Sequence, residues 1–318
     1  MTIKSEWIQA AANRISGKII KSPLTFDARL NVYIKWENQQ ETGAFKVRGA
    51  LNKILSLEPW EQERGLVAVS AGNHGLGVAY AAKMVGAKAT VFIPGKTAIN
   101  KEEAIYKFGA NVKKIDGDYS QAEMEAQNYA VKKGSTWISP YNDEQVIAGQ
   151  ATLGLELIDQ IKPYDSDACL VPVSGGALIS GIGLAFTHNK INTHLIGIQS
   201  ANSPFFYSLY HFGTAKNIVE NRSIADGLTG GVERNSITIP IVRSLLDDFI
   251  LVEEEEIERA IAYIWYHYNV VIEGSAAVPL AAVLSKKNKA NKPVLILSGG
   301  NIHADLHKEI CERWKERI

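Results

Sequence analysis

From Leu66 onward, short β-rich runs alternate with helix-like segments, and this alternation restricts the chain to few architectures. GLVAVS (65–70) leads into GLGVAYAAKMVG, ATVFIP (89–94) into NKEEAIYKFG, and NVKKID (111–116) into a long stretch that Asp118 can cap, before TWIS (136–139). After the helical QVIAGQATLGLELIDQI, the pattern resumes with ACLVPV (168–173), ALISGIGLAF, HLIGIQS (194–200), DFILV (248–252), two helical segments and PVLILSG (293–299). Strands that are nearly continuously apolar have to be covered on both faces. With helices between them they predict a parallel sheet of the α/β class. So many strands exceed a typical sheet of roughly five or six, so two sheets are expected.

At 318 residues the chain has the length of roughly two domains. Its 34 acidic and 34 basic residues balance. No global charge therefore favours nucleic acid or an anionic membrane, and any anion must be bound locally. The opening MTIKSEWIQA places Lys4 and Glu6 where a secretory peptide needs an apolar run. No stretch reaches the roughly 18–20 apolar residues of a membrane span. Cys169 and Cys311 are the two cysteines, and Cys169 falls in an apolar strand, as a buried thiol would. Two distant cysteines are no disulfide framework, so a reducing, cytoplasmic setting is expected.

In open α/β sheets, ligands sit beyond the carboxyl ends of the strands. Three loops fall there: SAGNHG (70–75), SGGAL (174–178) and SGGN (298–301). In SGGAL, two glycines between a strand and a helix opening at Ala177 or Leu178 gather unpaired amide N–H groups and a positive helix end, an anion nest suited to phosphate. SAGNHG brings Ser70, Asn73 and His74 to a donor-rich loop suited to a carboxylate. Neither G-x-G-x-x-G nor G-x-x-x-x-G-K-[ST] occurs, so dinucleotide and triphosphate binding lack their signatures. There is no G-x-S-x-G elbow and no Cys/His spacing for zinc, and His303 and His307 lack a third partner. The run EEEE (253–256) reads as a solvated helix start, where acids complement the dipole. ETGAFKVRGA (41–50) sets Lys46 directly after an aromatic ring, either as a surface charge or as an amine held for covalent chemistry. A lysine amine, a phosphate nest and a carboxylate-binding loop together are the needs of pyridoxal 5'-phosphate with an amino acid substrate.

KWENQQETGAFKVRGA (35–50), VSAGNHGLGVAYAAK (69–83), VIAGQATLGLE (146–156), VPVSGGALISGI (171–182), ADGL (225–228), VVIEGSAAVPLAAVL (270–284) and LSGGNI (297–302) resemble, in order and across nearly the whole chain, the pyridoxal-phosphate-dependent threonine/serine dehydratase and serine racemase family of the tryptophan synthase β-like fold (fold type II). The resemblance implies two open twisted α/β domains with mostly parallel sheets and the cofactor in the cleft between them. The large domain would comprise residues 1–47 with 141–318, the small one residues 48–140. Lys46 then matches the catalytic lysine that condenses with the cofactor aldehyde, and Phe45 the residue flanking the ring. Asn73 matches the contact to the ring 3-oxygen. Ser174, Gly175, Gly176, Ala177 and Leu178 match the phosphate loop, and Ser298 the partner of the pyridine nitrogen. Glu273 matches an acid near the ring, and Ser70, Ala71, Gly72, Asn73 and His74 the grip on the substrate carboxylate.

The implied reaction is β-elimination from a β-hydroxy amino acid such as L-threonine or L-serine, giving a 2-oxo acid and ammonia. The freed Lys46 amine, its pKa lowered by cationic imine chemistry, would act as base. Serine racemases place a serine opposite the lysine, and Ala71 stands at that position. They also place acidic cation ligands where Gln199 and Phe205 stand here, so no metal is expected. Ser174 and Ala177 replace the first and last of the usual four glycines. A homo-oligomer, dimer or tetramer, is implied. The chain stops at 318 without an appended regulatory domain, so feedback by isoleucine is not expected. The alternatives are a serine racemase, a hydroxyaspartate dehydratase, a β-replacement enzyme or a non-catalytic cofactor-binding protein.

Overall fold

A computed structural model of the chain describes residues 3–161 and 166–318. Helix α1 (Ser5–Ile15) precedes a hairpin of β1 (Leu24–Asp27) and β2 (Val32–Trp36), and α2 (Lys46–Leu55) and α3 (Pro59–Glu63) follow. The alternating region then runs β3 (Leu66–Val69), α4 (Asn73–Val85), β4 (Ala89–Pro94), α5 (Ile99–Lys107), β5 (Asn111–Ile115), α6 (Tyr119–Lys133) and β6 (Thr136–Trp137). Helix α7 (Glu144–Ile161) leads to β7 (Ala168–Pro172), α8 (Ala177–His188), β8 (His194–Ser200), α9 (Phe205–Phe212), α10 (Thr238–Leu245) and β9 (Asp248–Val252). The chain closes with α11 (Glu254–Tyr268), α12 (Gly274–Leu284), β10 (Val294–Leu297) and α13 (Ala304–Trp314).

The strands form two sheets, a six-stranded one ordered β1-β2-β10-β7-β8-β9 and a four-stranded one ordered β5-β4-β3-β6. All paired strands run parallel except β1 and β2. The continuous apolar runs are explained by burial on both faces. In β7, Ala168 and Leu170 enter one core while Cys169 and Val171 enter the other. In β3, Leu66 and Ala68 face one core while Val67 and Val69 face its opposite. Successive strand side chains point to opposite faces, so a strand covered twice needs apolar residues at every position.

Two local expectations change. TWIS is a strand only at Thr136–Trp137, because the Ser139 hydroxyl accepts the amide of Asn142 and turns the chain. The antiparallel hairpin β1–β2 is absent from the sequence pattern, because β2 (VYIKW) carries Lys35 within it. That lysine is fully buried, its Nζ donating to Glu156 Oε2 at 2.8 Å, the Ser22 carbonyl at 2.7 Å and Gln160 Oε1 at 2.9 Å. Elsewhere Asp118 caps α6, and Glu253 closes a capping box at the start of α11. Cys169 and Cys311 are both free and buried, and no described helix is long and apolar enough to cross a membrane.

Candidate active site

Four loops at the carboxyl ends of β2, β3, β7 and β10 converge. After β2 the chain turns through Glu37–Gln39 and enters α2 at Lys46. Its approach is pinned to the loop after β10: Phe45 N–H donates to the Ser298 carbonyl at 3.0 Å, and Ala44 bridges Gly299. Lys46 is half-buried, its Nζ 3.0 Å from the carbonyl oxygen of Pro140 and 5.3 Å from the Phe45 ring centroid. It has no ion pair among the described residues. Burial lowers its pKa from 10.5 to about 8, partly offset by the negative charge of Glu273. The amine is thus largely desolvated before any imine forms, a different cause from the one the resemblance suggests.

Opposite lies the start of α4. Asn73 Nδ2 donates to Glu273 Oε1 at 2.7 Å, Asn301 Nδ2 donates to Asn73 Oδ1 at 2.7 Å, and Asn301 N–H donates to Glu273 Oε2 at 3.2 Å. This triangle joins residues from α4, the entry to α12 and the loop after β10. Burial, reinforced by the Asp226 carboxylate, raises Glu273 to about 7 against the lowering effect of Asn73, Asn301 and Lys101. Ser70 Oγ accepts the Gly72 amide at 3.1 Å, which shapes the turn ahead of α4. The imidazole of His74 is turned away into the four-stranded side. It is 4% exposed, hydrogen-bonds the Ile138 carbonyl at 2.9 Å, and is held to about 3 by burial and then by Lys46, so it is neutral. What His74 offers a carboxylate is its backbone N–H, which with those of Asn73 and Gly75 forms the unpaired first turn of α4.

The third wall is the turn Ser174–Gly176 between β7 and α8. Gly176 has φ +86°, and a Cβ there would lie 2.8 Å from Phe206. A Cβ on Gly175 would lie 2.3 Å from the Tyr141 ring. Thr238 Oγ1 donates to the Gly175 carbonyl at 2.7 Å. Helix α8 opens at Ala177, so the amides of Ala177 and Leu178 belong to its unpaired first turn. A cradle that admits only glycine, open backbone donors and a helix's positive end fit a phosphate. Ser298 is 3% exposed and its hydroxyl has no partner among the described residues, leaving it free for a ring nitrogen. Gly175→Ala should therefore weaken pyridoxal phosphate binding by about 10- to 100-fold, the effect of a 1–3 kcal/mol overpacking cost. Titration of the apoprotein with the cofactor measures this, and unchanged affinity would show that Tyr141 swings aside.

The pattern of residues did not single out Asn301, although it lies within LSGGNI, nor Pro140, Tyr141 and Thr238, whose parts depend on contacts distant in sequence. His303 stands at the N-terminal boundary of α13 without a side-chain cap, and His307 is buried against Trp265 and Cys311. Among the described residues no group of three or more His, Cys, Asp or Glu side chains could hold a metal ion.

A family model described as pyridoxal-phosphate dependent enzyme matches residues 15–299. An L-threonine ammonia-lyase of Thermotoga maritima is 35% identical over 98% of this chain and 79% of its own length. A catabolic L-threonine dehydratase of Staphylococcus aureus is 38% identical over 86% of this chain and 79% of its own. Maize serine racemase superposes with a TM-score of 0.91 at 29% identity, covering 99% of both chains. The lysine, the glycine cradle and the free serine hydroxyl thus occur in a chain that this family model matches along nearly its whole length. By that match and by its fold, the chain belongs to the pyridoxal-phosphate dependent enzyme family.

Proposed function

We propose that this enzyme eliminates water from a β-hydroxy amino acid, L-threonine or L-serine, and that the resulting enamine takes water back as it hydrolyses, so that the net products are the 2-oxo acid and ammonia. The observation that carries this reading is the half-buried Lys46 amine, lowered to about 8, free of any ion pair among the described residues and bonded only to the Pro140 carbonyl where the loops converge. The threonine ammonia-lyase and dehydratase relatives support it. Bound pyridoxal phosphate supplies an aldehyde for amines and an electron sink for a carbanion at Cα.

Lys46 would hold the cofactor through its Nζ, and the same amine, poised near neutrality, is suited to take the Cα proton. Phe45 would flank the ring, Asn73 with the Glu273 carboxylate behind it would hold its oxygen edge, and Ser298 would face its nitrogen. The turn Ser174–Leu178 binds the phosphate. Ser70, Ala71, Gly72 and the backbone amides of Asn73 and His74 bind the substrate carboxylate. A hydroxyl at Ser298 cannot hold a proton on the ring nitrogen as a carboxylate would, which favours elimination over transamination. The chain would divide into a large body of residues 1–47 and 141–318 and a small one of 48–140, as the membership of the two sheets supports. Two buried free thiols are in keeping with a cytoplasmic enzyme, and a homo-oligomer is proposed from the family resemblance.

Steady-state assays with a panel of β-hydroxy amino acids, measuring ammonia and 2-oxo acid together, test the reading. Equal release of both from threonine or serine is expected, and absence of turnover on every member would refute it. Racemisation needs an acid/base on each face of Cα, and Ala71 offers only a methyl group opposite Lys46. A placed group contributes about 10²–10⁴-fold, so elimination should dominate. Ala71→Ser should raise D-serine formed from L-serine relative to pyruvate. Wild-type enzyme that interconverts the enantiomers as fast as it releases ammonia would contradict this assignment.

A further inference from the structure

Asn301, in the loop after β10, joins three parts of the site. Its Nδ2 donates to the Thr42 carbonyl at 2.9 Å and to Asn73 Oδ1 at 2.7 Å, while its backbone N–H donates to Glu273 Oε2 at 3.2 Å. The loop is also locked to the segment that leads into Lys46, because Gly300 N–H donates to the Gly43 carbonyl at 2.9 Å. Gly43 has φ +72°, and a Cβ there would stand 2.6 Å from Asn301 Oδ1, so this glycine leaves room for the carboxamide to lie over the backbone. Asn73 opens α4 beside the four-stranded sheet, whereas Asn301 follows a strand of the six-stranded one, so the bond between them spans the two sheets.

These partners fix which way each amide points. A main-chain carbonyl only accepts, so the Thr42 oxygen draws the nitrogen end of Asn301 toward itself, and the second hydrogen of that nitrogen goes to Asn73. Asn73 must then offer its Oδ1 to Asn301, which turns its Nδ2 the other way, to donate to Glu273 Oε1 at 2.7 Å. The remaining N–H of Asn73 Nδ2 has no partner among the described residues. Glu273 holds the same end of the amide from the far side, but a carboxyl raised to about 7 can either accept or donate near neutral pH. The Thr42 carbonyl cannot change roles, so the orientation is set from the Asn301 side.

We infer that Asn301 is a positioning residue, which holds the Asn73 carboxamide so that an N–H, and not a carbonyl oxygen, meets the 3-oxygen of pyridoxal phosphate. The inference rests on the proposed contact between Asn73 and the ring and names the residue that aims it. Asn301 is exposed, so water competes for its bonds and the effect of losing them is that of an ordinary hydrogen bond.

The test titrates apoprotein with pyridoxal phosphate for the wild type, Asn301→Leu, Asn73→Ala and the double variant. Leucine keeps the branched shape of asparagine and removes both donors without adding a charge, and Asn301→Ala, which only shortens an exposed side chain, gives the same comparison if the leucine variant does not fold. Asn301→Leu should weaken binding by about three- to tenfold. In the Asn73→Ala background it should cost less than about twofold more, because Asn301 acts through Asn73. The holoenzyme gives a second reading that loosened packing alone would not move. A donor on the ring oxygen favours its anionic form, so the pH midpoint of the bound cofactor's visible absorption should rise in Asn301→Leu by about half to one unit. Losses that simply add in the double variant, or a midpoint equal to that of the wild type, would overturn the inference and leave the Asn73 contact standing. An Asn73→Ala variant that binds the cofactor as tightly as the wild type would instead remove that contact, and the inference with it.

Discussion

Lys46→Ala should lower kcat by more than about 10⁴-fold, because one substitution removes both the anchor of the cofactor and the base for the Cα proton, and a placed base alone contributes about 10²–10⁴-fold. Borohydride treatment of the wild-type holoenzyme should fix the cofactor to Lys46, and a peptide map with the label on another lysine would sink the assignment. The lowered pKa adds a pH signature. The neutral amine is the nucleophile, and its folded pKa of about 8 lies below the ordinary 10.5. The rate at which apoprotein captures the cofactor should therefore rise about tenfold per pH unit below 8 and level off above it. A rise continuing to pH 10 would mean that the amine is hydrated, contrary to its burial.

Arg48→Met should produce the largest loss of stability. Arg48 is fully buried two residues after Lys46. Its Nε and Nη2 donate to Glu37 at 2.7 and 2.8 Å, and its Nη1 and Nη2 donate to Glu156 at 2.8 and 3.0 Å. Glu37 is also bonded by Ser22 and is itself fully buried, with Lys35 reaching Glu156 from the β2 side. Without Arg48 the two carboxylates keep only Lys35 between them. Leaving a buried charge uncompensated costs about 3–5 kcal/mol. The thermal midpoint should fall by on the order of 10 °C. Arg48→Lys should recover part of that loss but not all, since an ammonium cannot reproduce the two-sided fork. Equal midpoints for Arg48→Met and wild type would show the cluster to be energetically idle. Chiefly through Arg48, Glu37 is held below its ordinary 4.5 against the opposing effect of burial. Its contribution is therefore complete above pH 4.5 and lost as the pH falls further, which an acid titration of stability would show.

The strands and helices from Leu66 onward were legible because each strand buried on both faces needs an unbroken apolar run, and each helix between them shows its own period and caps. The loops at the carboxyl ends were legible for the same reason, since a strand, a glycine-rich turn and a helix start follow one another locally. The hairpin β1–β2 was not, because Lys35 breaks the apolar pattern, and two of the three groups that hold its buried amine lie more than a hundred residues away. His74 was legible as part of a donor-rich loop, but that its imidazole is engaged by the Ile138 carbonyl, 64 residues downstream, was not.

The sequence by itself determined where the turns, glycines and helix starts lie, because backbone conformation answers to neighbouring residues. Only the tertiary structure decided what the side chains at those places could do. Asn73 and Glu273 are 200 residues apart in the chain and 2.7 Å apart in space. Lys46 has its pKa lowered to about 8 by the walls that exclude water from it, and its Nζ meets the carbonyl of Pro140, 94 residues downstream. Desolvation and charge act through distance in space, which the order of residues does not contain.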